Sequence, residues 1–206
     1  MMTGPAHADA GAATGAIEVY RPLFPFSTIK AVGRAVFRSR EARDYACLLD
    51  LDPEVVSWQS VTHAIADIGT GSGCRNVDFK VETTSGTIMV DVCIDDSEAP
   101  DCFRRSVNAS GFRYMVVRPS DLDPIRVQNA RDLIRYARYE ASLGDRVRVL
   151  AALEEMGALT LAECMSAVRE GRPMDTVASL ILRGHINVDI DEKLLGPDTT
   201  VRHSAK

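Results

Sequence analysis

The 206-residue chain has no apolar run approaching the roughly 18 residues of a membrane helix, which excludes a helix that spans a bilayer. Its opening stretch, MMTGPAHADAGAATGA, has neither the basic n-region nor the apolar h-region of a secretory leader, so a cytoplasmic location is expected. Excess positive charge is also missing. Lysine and arginine number 24 against 29 aspartates and glutamates, a net charge of −5. That argues against a broad nucleic-acid footprint but leaves room for a local basic patch. Cysteine pairing is absent as a pattern: Cys47, Cys74, Cys93, Cys102 and Cys164 are scattered, none forms CxxC, and no histidine pair lies nearby at ligand spacing. A disulfide scaffold or zinc knuckle is therefore not expected. What is present is an ordinary globular balance, 46% hydrophobic and 26% charged, in a length that allows one large domain or two small ones.

Residues 1–16 carry almost no large side chain and are expected to form a disordered tail, followed by an extended YRPLFPF segment. From Ser39 onward, Ala42, Tyr45, Ala46, Leu48 and Leu49 recur at offsets of three and four. This spacing predicts a helix that Asp52-Pro53 stops. Residues 55–65 read as extended and lead into the glycine loop GTGSG. The stretch 77–94 predicts a hairpin, VDFKVE returning as TIMVDVCI through Thr84-Ser85-Gly86. Arg113–Val117 predicts another strand, and 127–143 an amphipathic helix closed by Gly144. Three short helices then precede the strand-like HINVDI, and Thr160 with Glu163 makes a capping box at the second. That layout is the layout of a winged helix. A domain boundary is expected near Gly144, giving a tail (1–16), a first domain (17–144) and a second (145–206).

Two strings carry chemistry. DIGTGSGC, from Asp67 through Gly73 to Cys74, has the form of the glycine loop of S-adenosylmethionine-dependent methyltransferases. A cofactor loop of that kind opens a helix, whereas here alternating Val77, Phe79 and Val81 predict a strand. On the hairpin, Asp78, Lys80 and Glu82 share one face of the first strand, and Met89, Asp91, Cys93 and Asp95 one face of the second. A two-residue Ser85-Gly86 turn would set Lys80 opposite Asp91 and Asp78 opposite Cys93. Carboxylates and a lysine on adjacent strands are what metal-dependent phosphodiester cleavage uses: hard oxygens hold the ion and the lysine positions the attacking water.

The string RDYACLLDLDPEVVSW resembles the helix-plus-DPxV signature of TnsA-type transposon endonucleases, and RPLFPFSTIKAVGRAVFRSRE resembles the segment leading into their first helix. The C-terminal TLAEC, LILRGHINVDI and LLGPDTTV are similar to the winged-helix-like domain of that family. The resemblance implies an α/β restriction-endonuclease-like PD-(D/E)xK core followed by a winged-helix-like domain. It also implies cleavage of donor DNA with Mg2+, alongside a transposase or ATPase-type protein partner. Catalytic positions would fall on Asp78, Asp91, Lys80 and Glu41, with Asp78 and Asp91 as metal ligands. Ungapped alignment nonetheless puts Ala42 at the helix glutamate position and Cys93 at the lysine position. Glu41 is then about 100° away around the helix. The expectation is a nuclease fold with an eroded site, acting as a DNA- or protein-binding adaptor of a mobile element, with no membrane role. The alternative is the methyltransferase. From Asp145 onward eight basic residues face ten acidic ones, so protein docking is favoured over DNA binding there. Arg131, Arg135 and Arg138 form the best candidate phosphate-facing stripe, on the predicted 127–143 helix.

Overall fold

The first helix begins where it does because the Ser39 hydroxyl accepts the Ala42 N–H, satisfying one of the free donors of the first turn. This helix, α1 (Arg40–Leu51), ends at Asp52 ahead of Pro53, as the sequence predicts. The computed structural model describes residue 23 and residues 27–61, 77–94 and 111–204. The expected tail, the glycine loop with Asp67 and Cys74, and Asp95 and Cys102 lie outside the described residues.

Four strands follow: β1 (Val55–Ser60), β2 (Phe79–Thr83), β3 (Gly86–Val92) and β4 (Arg113–Val117). They form one sheet in sequence order, antiparallel across β1/β2 and β2/β3 and parallel across β3/β4. The β2–β3 turn has two residues, as expected, but sits one residue earlier than the sequence predicts. Thr83 pairs with Gly86, so the turn is Thr84-Ser85, and Gly86 supplies a backbone angle of φ +126° that side-chain-bearing residues rarely adopt. The register therefore moves by two residues from the expected one, and Lys80 lies opposite Met89 rather than Asp91. Because side chains alternate with period two, a two-residue shift keeps every residue on its face. On one face Ala42, Ala46 and Leu49 of α1 bury Trp58, Phe79, Val81, Val90 and Val92, with the Trp58 and Phe79 rings edge-on at 5.5 Å. The buried Trp58 indole N–H donates to Asp50 at 2.9 Å.

After a single 3-10 turn, Pro119–Asp121, comes α2 (Pro124–Ile134), capped by Asp123, whose carboxylate accepts the Ile125 and Arg126 N–H groups. The predicted 127–143 helix is thus shorter at its C-terminal end. Tyr136 and Ala137 leave the α-helical ladder in turns of the i→i+3 kind, and both side chains pack against the cluster to which a later helix contributes Ala178 and Leu182. Tertiary packing overrides local periodicity there. The remaining elements are α3 (Leu143–Met156), β5 (Ala158–Thr160), α4 (Leu161–Ala167), α5 (Pro173–Leu182), β6 (Ile186–Val188) and β7 (Thr200–His203). Gly157 ends α3 with φ +76°, and the Thr160–Glu163 capping box opens α4 as predicted. The second sheet has the order β5-β7-β6, antiparallel throughout. The chain is thus a mixed α/β protein.

α5 is apolar on two sides. Val177 and Leu180 enter the C-terminal core with Val149, Leu153, Leu161 and Val201, while Ala178 and Leu182 join Cys47, Ala130, Leu133 and Ile134. The second cluster fastens α1 and α2 to α5. Asn129 reinforces it: its amide donates to the Ile190 and Lys193 carbonyls and accepts the Leu195 N–H, each at 2.9 Å. The expected boundary at Gly144 coincides with the first turn of α3. Among the described residues, no helix is long and apolar enough to cross a membrane.

Candidate functional site

Arg38 stands immediately before the Ser39 cap of α1 and reaches the end of the β2–β3 hairpin. Its Nε donates to Asp78 Oδ1 and its Nη2 to Asp78 Oδ2, each at 2.8 Å, a bidentate carboxylate–guanidinium pair. The same Nη2 donates to Asp91 Oδ1 at 2.6 Å and to the Val92 carbonyl at 2.8 Å. Both acids are inside the protein, Asp78 at 7% exposure and Asp91 at 1%. Further donors hold both acids: the Val92 N–H also donates to Asp78 Oδ2 at 2.7 Å, and the Tyr114 hydroxyl donates to the other Asp91 oxygen, Oδ2, at 2.9 Å.

Charge explains the arrangement. Two buried carboxylates without a counter-ion carry a desolvation penalty of several kcal/mol each, and the shared Arg38 cation offsets it. Burial works against the Arg38 charge, but hydrogen bonds and attraction from Asp78 and then Asp91 outweigh it and push the guanidinium further up. Burial pushes the Asp78 carboxyl above the usual aspartate range, and the Arg38 contacts offset this only in part.

The other predicted residues are placed elsewhere. Lys80 is not at the acid pair: its ammonium meets Glu82 at 2.8 Å on the same strand face. Glu41, half-buried in the first turn of α1, makes no hydrogen bond or ion pair among the described residues. Ala42 is fully buried in the cluster that contains Phe79 and Val90. Cys93 is buried at the end of β3, where its N–H donates to the Val117 carbonyl at 2.8 Å. The structure brings together Asp78 and Asp91 and adds Arg38 and Tyr114. Sequence reasoning missed both additions. Among the described residues, no group of three or more histidine, cysteine, aspartate or glutamate side chains gathers as a metal site.

The arginine stripe does not survive as a stripe, because the helix that would carry it ends at Ile134. Arg131 forms a bidentate pair with Asp44 that ties α2 to α1, and Arg135 pairs with Asp132 at 3.4 Å. The described cysteines are buried free thiols. Burial, with Asp44 and Asp50 nearby, pushes Cys47 up to about 12, and burial pushes Cys164 up to about 11. Neither has the depressed thiol that nucleophilic catalysis needs. No protein-family model matches the sequence, and no curated protein matches it.

Proposed function

We propose that the chain is a TnsA-endonuclease-like protein that no longer cuts, serving as an adaptor in DNA transposition or another mobile element. The observation that carries this reading is the Asp78–Arg38–Asp91 cluster: the two acids that the resemblance assigns to the nuclease site meet on one protein cation. Asp78 and Asp91 lie on adjacent strands, as a PD-(D/E)xK hairpin requires. The positive charge that the family draws from its lysine, replaced here by Cys93, comes instead from Arg38, immediately before the cap of α1. Element order supports the nuclease-like core. A helix, an antiparallel meander and a fourth strand parallel to the third agree with such a core.

The C-terminal half supports a docking role. A strand between its first two helices, with a closing pair of strands in the order β5-β7-β6, fits a winged-helix arrangement. In DNA readers of the helix-turn-helix kind, one helix lies in the major groove with its side chains on base edges. The third helix here, α5, is buried over five consecutive residues, from Thr176 to Leu180. It cannot present that face to a groove. Contacts to the transposase- or ATPase-type partner therefore fall on other surfaces of this half. The strand conformation of β2 gives no support to a methyltransferase.

A plasmid-nicking assay with Mg2+ or Mn2+ tests the reading. The wild-type chain is expected to nick supercoiled DNA no faster than an Asp78→Ala control. Nicking that disappears in Asp78→Ala would show a working nuclease and overturn the adaptor.

A further inference from the structure

A guanidinium nitrogen that touches three oxygens is an unusual occupant for a pair of buried acids. Arg38 Nη2 contacts Asp78 Oδ2 at 2.8 Å, Asp91 Oδ1 at 2.6 Å and Val92 O at 2.8 Å. Two carboxylate oxygens and one backbone carbonyl are hard donors of the type that holds Mg2+ or Mn2+. We propose that the Arg38 guanidinium is the resident cation of this site, so that the wild-type chain excludes divalent metal and loss of Arg38 opens a divalent-cation site formed by Asp78, Asp91 and Val92. The inference rests on the nuclease-like reading only for the choice of a divalent ion as competitor.

Three physical points carry it. A magnesium ion needs its oxygens at about 2.0–2.1 Å in an octahedron, so it would take the volume that Nη2 fills. Arginine does not release its proton under any condition in which the protein folds, so the charge cannot be switched off. The oxygens are also committed on their outer sides, Asp78 Oδ2 to the Val92 N–H and Asp91 Oδ2 to the Tyr114 hydroxyl. A second cation would have to compete for ligands that are already shared and would meet the like charge of Arg38. Removing the side chain withdraws the Arg38 donor from three convergent oxygens and leaves two buried acids without their protein cation, which a divalent ion can replace.

The test uses Mn2+ as the probe on the full chain, with no DNA present. Binding is measured by calorimetry and thermal unfolding for wild type, Arg38→Ala and Arg38→Ala combined with Asp91→Asn. Arg38→Ala is expected to bind Mn2+ at least ten-fold more tightly than wild type and to melt at a higher temperature in Mn2+ than in chelator. Adding Asp91→Asn should abolish both effects. Equal Mn2+ affinity in wild type and Arg38→Ala would overturn the proposal, as would a folded Arg38→Ala that gains nothing from Mn2+. If Arg38→Ala is unfolded in chelator, recovery of its circular dichroism on adding Mn2+ supports the proposal. Failure to recover, while the chain carrying Arg38→Ala, Asp78→Asn and Asp91→Asn folds, overturns it. Nicking by the wild type with no difference in Mn2+ affinity from its Asp78→Ala variant would instead sink the adaptor reading alone, because such cutting would not run through this site.

Discussion

Replacing Arg38 by alanine should lower the stability of the protein by about 3–5 kcal/mol, the usual cost of leaving a buried charge without its partner. Two acids lose their cation at once, since one guanidinium serves both Asp78 and Asp91. Adding Asp78→Asn and Asp91→Asn to the alanine variant should therefore recover most of the stability, although each of these substitutions alone would be destabilising. The neutralised variants separate this charge effect from any loss of contacts made by the side-chain stem, which is 27% exposed. Urea unfolding at neutral pH without divalent ions measures all four chains. A cost below about 1 kcal/mol for Arg38→Ala would place the interaction among ordinary surface pairs.

Asp145 is expected to give the second large effect, for a different reason. It is fully buried in the first turn of α3 and accepts the N–H groups of Arg169 at 2.7 Å, Glu170 at 3.1 Å and Gly171 at 2.7 Å. Arg148 Nη1 adds an ion pair at 2.8 Å. One carboxylate thus closes the loop between α4 and α5. Burial opposes its charge, but the three backbone donors and Arg148 win and hold the carboxyl down at about 2, from an ordinary value of 3.8. An acid depressed by folding stabilises the native state fully above its unfolded value, and this contribution is lost as pH falls toward 2. Asp145→Ala, which leaves three amides without an acceptor, should cost about 2–4 kcal/mol at pH 7. Asp145→Asn should be destabilised at pH 7 and should show a flatter acid limb between pH 4 and pH 2 than the wild type. Parallel acid limbs in urea melts across that window would contradict the assignment.

What was legible in the sequence was local. Ser39 before an apolar repeat, Asp52-Pro53 after it, and the Thr160–Glu163 box each act within a few residues, and each appears at its expected place. The hairpin was legible in its faces but not in its register, since Thr84-Ser85-Gly86 offers two tight turns and only packing selects between them. The period-two alternation protected the site from that error: Asp78 and Asp91 remained on one face and met. The end of α2 was not legible, because Tyr136 and Ala137 continue the apolar pattern while the cluster they pack against draws Ala178 and Leu182 from a distant helix. Arg38 was missed for a similar reason. It lies 40 residues from Asp78 in sequence, in a run of four arginines between residues 34 and 43 that reads as a solvated lead-in. A charge argument was the available signal. Two acids on adjacent strands and a cysteine at the lysine position leave a buried negative charge that some cation must meet, and Lys80 already had Glu82 within reach.

Arg38, not a metal ion, is the cation between Asp78 and Asp91. Anomalous diffraction at the manganese edge, from wild-type crystals soaked in Mn2+, measures it most directly. The expected result is electron density for the guanidinium between the two carboxylates and no anomalous peak within about 3 Å of Asp78 Oδ2, well beyond a metal–oxygen bond. A manganese peak bridging Asp78 and Asp91, with the Arg38 side chain turned out to solvent, would contradict it.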